Sequence, residues 1–135
     1  MFATKPIFNI ALAALFALSS MYASAHHSAA GYDTDKRIEV SGTITKVSFR
    51  NPHGKLKLAN ATAEGYSDGD WKVEAAAANL LRRRGWNFKE IKQGMKIKLV
   101  GHPTKDGGHE LYLREVHFED GTVFGDPDGQ DKALD

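Results

Sequence analysis

No cysteine occurs in this 135-residue chain. That excludes disulfides, a thiolate nucleophile and thiolate metal ligands, and it leaves the fold to be held by its apolar core. An excess of one charge is also missing, since 18 Lys and Arg stand against 17 Asp and Glu. Nucleic-acid-binding domains carry a basic footprint, and none is visible globally, so nucleic acid is not an expected partner. Catalytic signatures are absent too. There is no G-x-S-x-G, no P-loop and no H-E-x-x-H, and the 17 acidic side chains form no recognisable acid–base pair. Long apolar runs are lacking except for one near the start.

That run extends from Ile7 to Leu18. It follows a single positive charge, Lys5, and gives way to Ala23-Ser24-Ala25. A positive start, a short apolar stretch and an A-x-A site form the pattern of a cleavable signal peptide. A spanning helix needs about 20 apolar residues, and this run is shorter. Residues 1–25 are therefore read as a signal peptide, which places the protein in the periplasm or outside the cell with no membrane anchor after cleavage. Removing 25 residues from 135 leaves 110, beginning at His26. Loss of Lys5 leaves 17 basic against 17 acidic side chains, so the net charge is near zero. This length suits one soluble domain.

Residues 26–37 are polar and read as an N-terminal arm. From Ile38 to Phe49 apolar residues alternate as in a strand, but the phase slips between Ile44 and Val47. A slip of one residue sends side chains to the other face, so a bulge or bend is expected near Thr45-Lys46. Asn51-Pro52-His53-Gly54 has turn chemistry. Lys55–Ala61 and the segment from Trp71 to Ala75 read as the second and third strands, joined by a loop at Glu64–Asp70. Ala75–Arg84 has high helix propensity and stops at Gly85. Asn87 followed by Glu90 resembles a capping box. Met95–Val100 and Leu111–Phe118 read as the fourth and fifth strands, with residues 102–109 as the loop between them. Asp120-Gly121 turns the chain into a short arm at 122–124. The fold class is mainly β: a small five-stranded OB-like barrel over 38–124, with one helical segment between strands 3 and 4. A small β-sandwich is the other architecture compatible with this pattern. Residues 125–135 read as a flexible tail.

All six histidines lie after the signal segment: His26, His27, His53, His102, His109 and His117. Without cysteine, a transition-metal site must use imidazole, carboxylate or the amino terminus. Cleavage after Ala25 would give His26 a free amine beside its own ring, a chelating pair that suits Cu(II) when a further histidine completes it. His27 is a second local donor. The plainer alternative is that His26-His27 simply begins a flexible arm. His53, His102 and His109 fall on the two loops that lie on the ligand side of an OB barrel, or else serve only to shape tight turns. His117 reads as solvent-facing. Trp71 and Glu74 lie on opposite faces of their strand, with Trp71 inward and Glu74 available to orient a histidine. Trp86 and Phe88 read as packing the helical segment onto the barrel.

Several pieces together resemble a family of exported bacterial proteins, domain of unknown function 6152. They are His26-His27-Ser28, Gly42-Thr43-Ile44, Asn51-Pro52-His53, Trp71-Lys72-Val73-Glu74, Leu80-Leu81 through Gly85-Trp86, Gly94-Met95, and Gly101-His102-Pro103 through Asp106-Gly107. The resemblance implies an exported, periplasmic, single β-rich domain, and it draws attention to His26, His27, His53, Trp71, Glu74 and Trp86. It supplies no reaction. The four alanines at 75–78 depart from the Gly, Ser or Pro that the family pattern would place there.

The expected function is a periplasmic binding module rather than an enzyme, with copper or another transition metal held by His26, His27 and His53. Trp71, Glu74, Trp86, His102 and His109 are supporting candidates. The alternative is an OB-type module without metal that binds an exported protein or an oligosaccharide, using Trp86 or Tyr66 on its binding face. A copper oxidase-like activity would need an open metal position, and no substrate is indicated for it.

Overall fold

A computed structural model describes residues 30–125. The segment read as signal peptide, His26 and His27, and the tail from Asp126 lie outside the described residues, whereas Gly125, read as the start of the tail, is paired with Glu115 in the sheet. Six strands run in chain order: β1 (Ile38–Ser48), β2 (Gly54–Thr62), β3 (Gly69–Ala75), β4 (Lys96–Pro103), β5 (Glu110–His117) and β6 (Val123–Gly125). One short helix, α1 (Ala78–Arg83), and a 3-10 turn at Phe88–Glu90 lie between β3 and β4. The strands are ordered β3-β2-β1-β4-β5, and parallel pairing of β3 with β5 closes the ring. The fold is thus a closed five-stranded barrel in OB-type order. β3 occupies one end of the free edge of β5, at residues 110–112, and β6 occupies the other end, at residues 115–117.

β1 is long because it serves two neighbours. Ile38–Thr43 pair with β4, and the strand pairs with β2 from Ser41 onward. The register with β2 shifts at two places, Ser41/Thr43 and Ile44/Lys46. The second shift falls where the apolar phase slips in the sequence. An extra residue there bends and twists the strand, and this turns Val47 back onto the core side that Val40 and Ile44 already face by alternation. Gly42 lies between them because a side chain would crowd Ala61, with a Cβ at 2.8 Å from that residue's Cβ.

The interior is filled by Val40, Ile44, Leu56, Leu58, Trp71, Val73, Leu99, Leu111 and Val116. Burying each of these side chains contributes roughly 1.5–3 kcal/mol, which is how the domain manages without disulfides. Ala75–Arg84 is not helical throughout. Ala75 pairs with Gly54 in the sheet and is fully buried, and Ala76 accepts a hydrogen bond from the Gly54 amide. Sheet pairing overrides alanine's helix propensity here, so α1 starts only at Ala78. It ends at Gly85, whose φ of +87° permits a Schellman closure: Trp86 N–H donates to the Leu81 carbonyl and Gly85 N–H to that of Arg82. Asn87 caps the following turn, accepting from the Lys89 amide while its own amide group donates to Glu90. Among the described residues no helix is long and apolar enough to cross a membrane.

Candidate functional site

His53 ends the β1–β2 turn, directly after the cis Asn51–Pro52 bond. That turn is fixed to the start of α1, because the Asn51 side chain accepts from the Asn79 amide and the Arg50 carbonyl accepts from the Ala78 amide. The His53 ring meets Glu74 of β3, with Nδ1 3.3 Å from Oε1. Nδ1 is shut off from solvent and lacks the alignment for a hydrogen bond. The side chain is nevertheless 36% exposed, and Nε2 has no partner among the described residues. One ring nitrogen therefore faces a carboxylate and the other is open to solvent.

The second oxygen of Glu74 is also engaged. Tyr32, in the arm before β1, donates its hydroxyl to Glu74 Oε2 at 3.3 Å. Tyr32 is buried against Tyr112, with ring centroids 5.4 Å apart, and its backbone bridges to Thr104. Asp33 N–H donates to the Pro103 carbonyl, which fastens the same stretch. Burial chiefly, then the charge of Glu74 and the hydrogen bond to it, push the Tyr32 phenol well above its ordinary range. Tyr32 stays protonated and remains a donor. Burial and Glu74 also raise the pKa of Tyr112. The result is a chain of three side chains, His53, Glu74 and Tyr32, contributed by a loop, a strand and the arm.

The other histidines are placed elsewhere. His102 is not on a loop, as the sequence suggested, because β4 runs on through Pro103. It is 2% exposed, opposite Tyr112 in the sheet, and its Nδ1–H donates to the Lys36 carbonyl at 2.7 Å. That bond fixes its tautomer and holds the arm. His109 closes the β4–β5 loop and stacks on Trp71, with centroids 5.0 Å apart and planes within 8°. Its Nε2 is 3.4 Å from Ser67 Oγ. His117, expected in solvent, is half-buried, 2.7 Å from Glu115. Glu115 is itself 3% exposed and also pairs with Arg37 at 3.0 Å. Among the described residues no three His, Asp or Glu side chains converge as a metal-binding group.

Trp71 is buried in the core and Trp86 is buried beside Phe49 and Phe124. Tyr66 is half-buried, edge-on to Trp71. Trp86 offers no open aromatic face, because it completes the packing of its loop against the barrel, whereas Tyr66 keeps part of its surface exposed. The part of Tyr32 was not found from the sequence. It sits in a polar arm with no periodicity, and only its aromatic character within that arm hinted at burial.

No curated protein matches the chain. A family described only as one of unknown function, DUF6152, matches residues 14–111, a span that takes in the arm, the His53 turn, Glu74 and α1. The chain belongs to that family, DUF6152.

Proposed function

We propose that the protein is an exported, periplasmic binding module that takes a transition-metal ion, Cu(II) by its donor chemistry. The ligands are His53 Nε2 with the amine and ring of His26, and His27 stands beside them as a second local donor. The observation that carries this reading is the state of the His53 ring. Histidines that bind metals commonly turn one nitrogen toward a carboxylate, which sets the orientation and basicity of the other. His53 has Nδ1 at Glu74 and Nε2 open. Glu74 is in turn steadied by Tyr32.

Chain length supports the same reading. The arm is anchored at Tyr32 beside this pair. Tyr32 lies six positions after His26, enough chain to span roughly 20 Å when extended. An amine and ring from His26 with one ring from His53 make a three-nitrogen set suited to Cu(II). The aromatic-platform alternative gains no support from Trp86, which is covered.

The test compares two purified forms by calorimetric titration with Cu(II). One begins at His26 and the other carries an extra residue before it. Sub-micromolar binding in the first and a large loss in the second support the site. Equal binding in both, or none in the first, removes it.

A further inference from the structure

A second feature lies on the outer face of β1, β2 and β3. A cleft of about 290 Å³ is lined there by Lys46, Lys55, Lys57 and Lys72, with Glu74 and Glu110 as its acidic members. The sheet register explains the crowding of charge. Lys46 is paired with Lys57, and Lys57 with Lys72, so three lysines form one row across three strands. Directly paired residues stand about 5 Å apart, and like charges there are destabilising. Lys55 lies two residues from Lys57 on the same face, about 7 Å away. Lys72 has a counter-charge in Glu110, at 3.1 Å. Lys46, Lys55 and Lys57 have no carboxylate partner among the described residues.

This local excess sits in a chain with 18 basic and 17 acidic residues, so it does not reflect a generally basic surface. We propose that the cleft binds a small anion carrying two or more carboxylate or phosphate groups. Lysine ammonium groups bind such oxyanions as point charges, and three of them within strand spacing match a compact polyanion. The volume is near the lower end for small-molecule sites. Single-stranded nucleic acid fits less well, because its binding faces stack bases on exposed aromatics, and the aromatic residue at this cleft, Tyr32, is buried against Tyr112. The proposal does not depend on metal at His53, although Glu74 adjoins both places.

The test uses metal-free ¹⁵N-labelled protein, both wild type and His53→Ala, titrated separately with citrate and with pyrophosphate. Saturable amide shifts centred on Lys46, Lys55, Lys57 and Lys72 are expected in both proteins, and the tighter of the two anions identifies the preferred group. Lys57→Gln should weaken binding at least ~10-fold, a loss equivalent to 1.4 kcal/mol. Lys89→Gln, on the 3-10 turn and outside the lining of the cleft, should not change it. Lys57→Gln should also raise Tm at low salt by relieving repulsion, and the anion should raise Tm in wild type but not in this variant. No saturable shift with either anion, equal weakening by Lys57→Gln and Lys89→Gln, or tighter binding of a single-stranded oligonucleotide would overturn the proposal. Loss of binding in His53→Ala alone would assign the anion to the metal site instead.

Discussion

Glu74 stands 3.3 Å from His53, close enough for its charge to act on the ring although no aligned hydrogen bond joins them. The carboxylate lies across β2 from the turn that carries the histidine, and its remaining oxygen is taken by Tyr32. Glu74→Gln preserves shape and removes the charge. Cu(II) affinity should then fall about 10- to 100-fold, with circular dichroism unchanged. Calorimetry on the variant checks this, and wild-type affinity would mean that Glu74 does not prepare His53.

Tyr32 links the site to pH. Its phenol is held above the ordinary range in the folded state by burial and by Glu74. The unfolded chain releases that proton near pH 10, where the folded protein still keeps it. Stability from this group is therefore fully present below about pH 10 and declines as pH rises beyond it. Chemical denaturation across the alkaline range should show that decline, and Tyr32→Phe should flatten it. A residual slope should persist from Tyr112, whose pKa is raised as well. At neutral pH the same variant should lose about 1 kcal/mol, the worth of one hydrogen bond.

Gly101 sits where the β4–β5 register shifts. A Cβ there would collide with the Tyr112 carbonyl and come within 3.0 Å of Leu111 Cγ. Neither backbone can yield without opening the barrel. Gly101→Ala should destabilise by about 3 kcal/mol, read from the urea midpoint. Near-wild-type stability would show that the strands can separate locally.

His109 separates a structural histidine from a ligand. It stacks on Trp71, and such ring pairs contribute about 0.5–1.5 kcal/mol beyond area burial. His109→Ala should lose that much, shift tryptophan emission to the red, and leave Cu(II) affinity unchanged. Weakened copper binding in a stable His109→Ala variant would place the metal on the β4–β5 loop.

Much of the barrel was legible in local pattern. Alternation located the five strands, the phase slip after Ile44 located the bulge, and Gly85 marked the end of α1. What escaped depended on distant partners. Ala75 looked helical because its pairing with Gly54 is invisible in a local window. His102 followed a glycine and preceded a proline, so it read as loop, yet the Lys36 carbonyl, 66 residues away in sequence, accepts its proton and encloses it. His117 reads as exposed because nothing local reveals that Glu115, its partner, is buried and pairs with Arg37 from the arm. The candidate site divides in the same way. His53 and Glu74 were visible as residue types in a turn and on a strand's outer face, whereas Tyr32 joins them only through the tertiary path of the arm.

Joint capture of one Cu(II) by His53 and the terminal histidine would place three nitrogens on the ion. Electron paramagnetic resonance of protein beginning at His26, loaded with one equivalent of Cu(II), tests it most directly through the nitrogen hyperfine pattern. A three-nitrogen pattern that loses one nitrogen in His53→Ala is the expected result. Identical spectra from wild type and His53→Ala would contradict it.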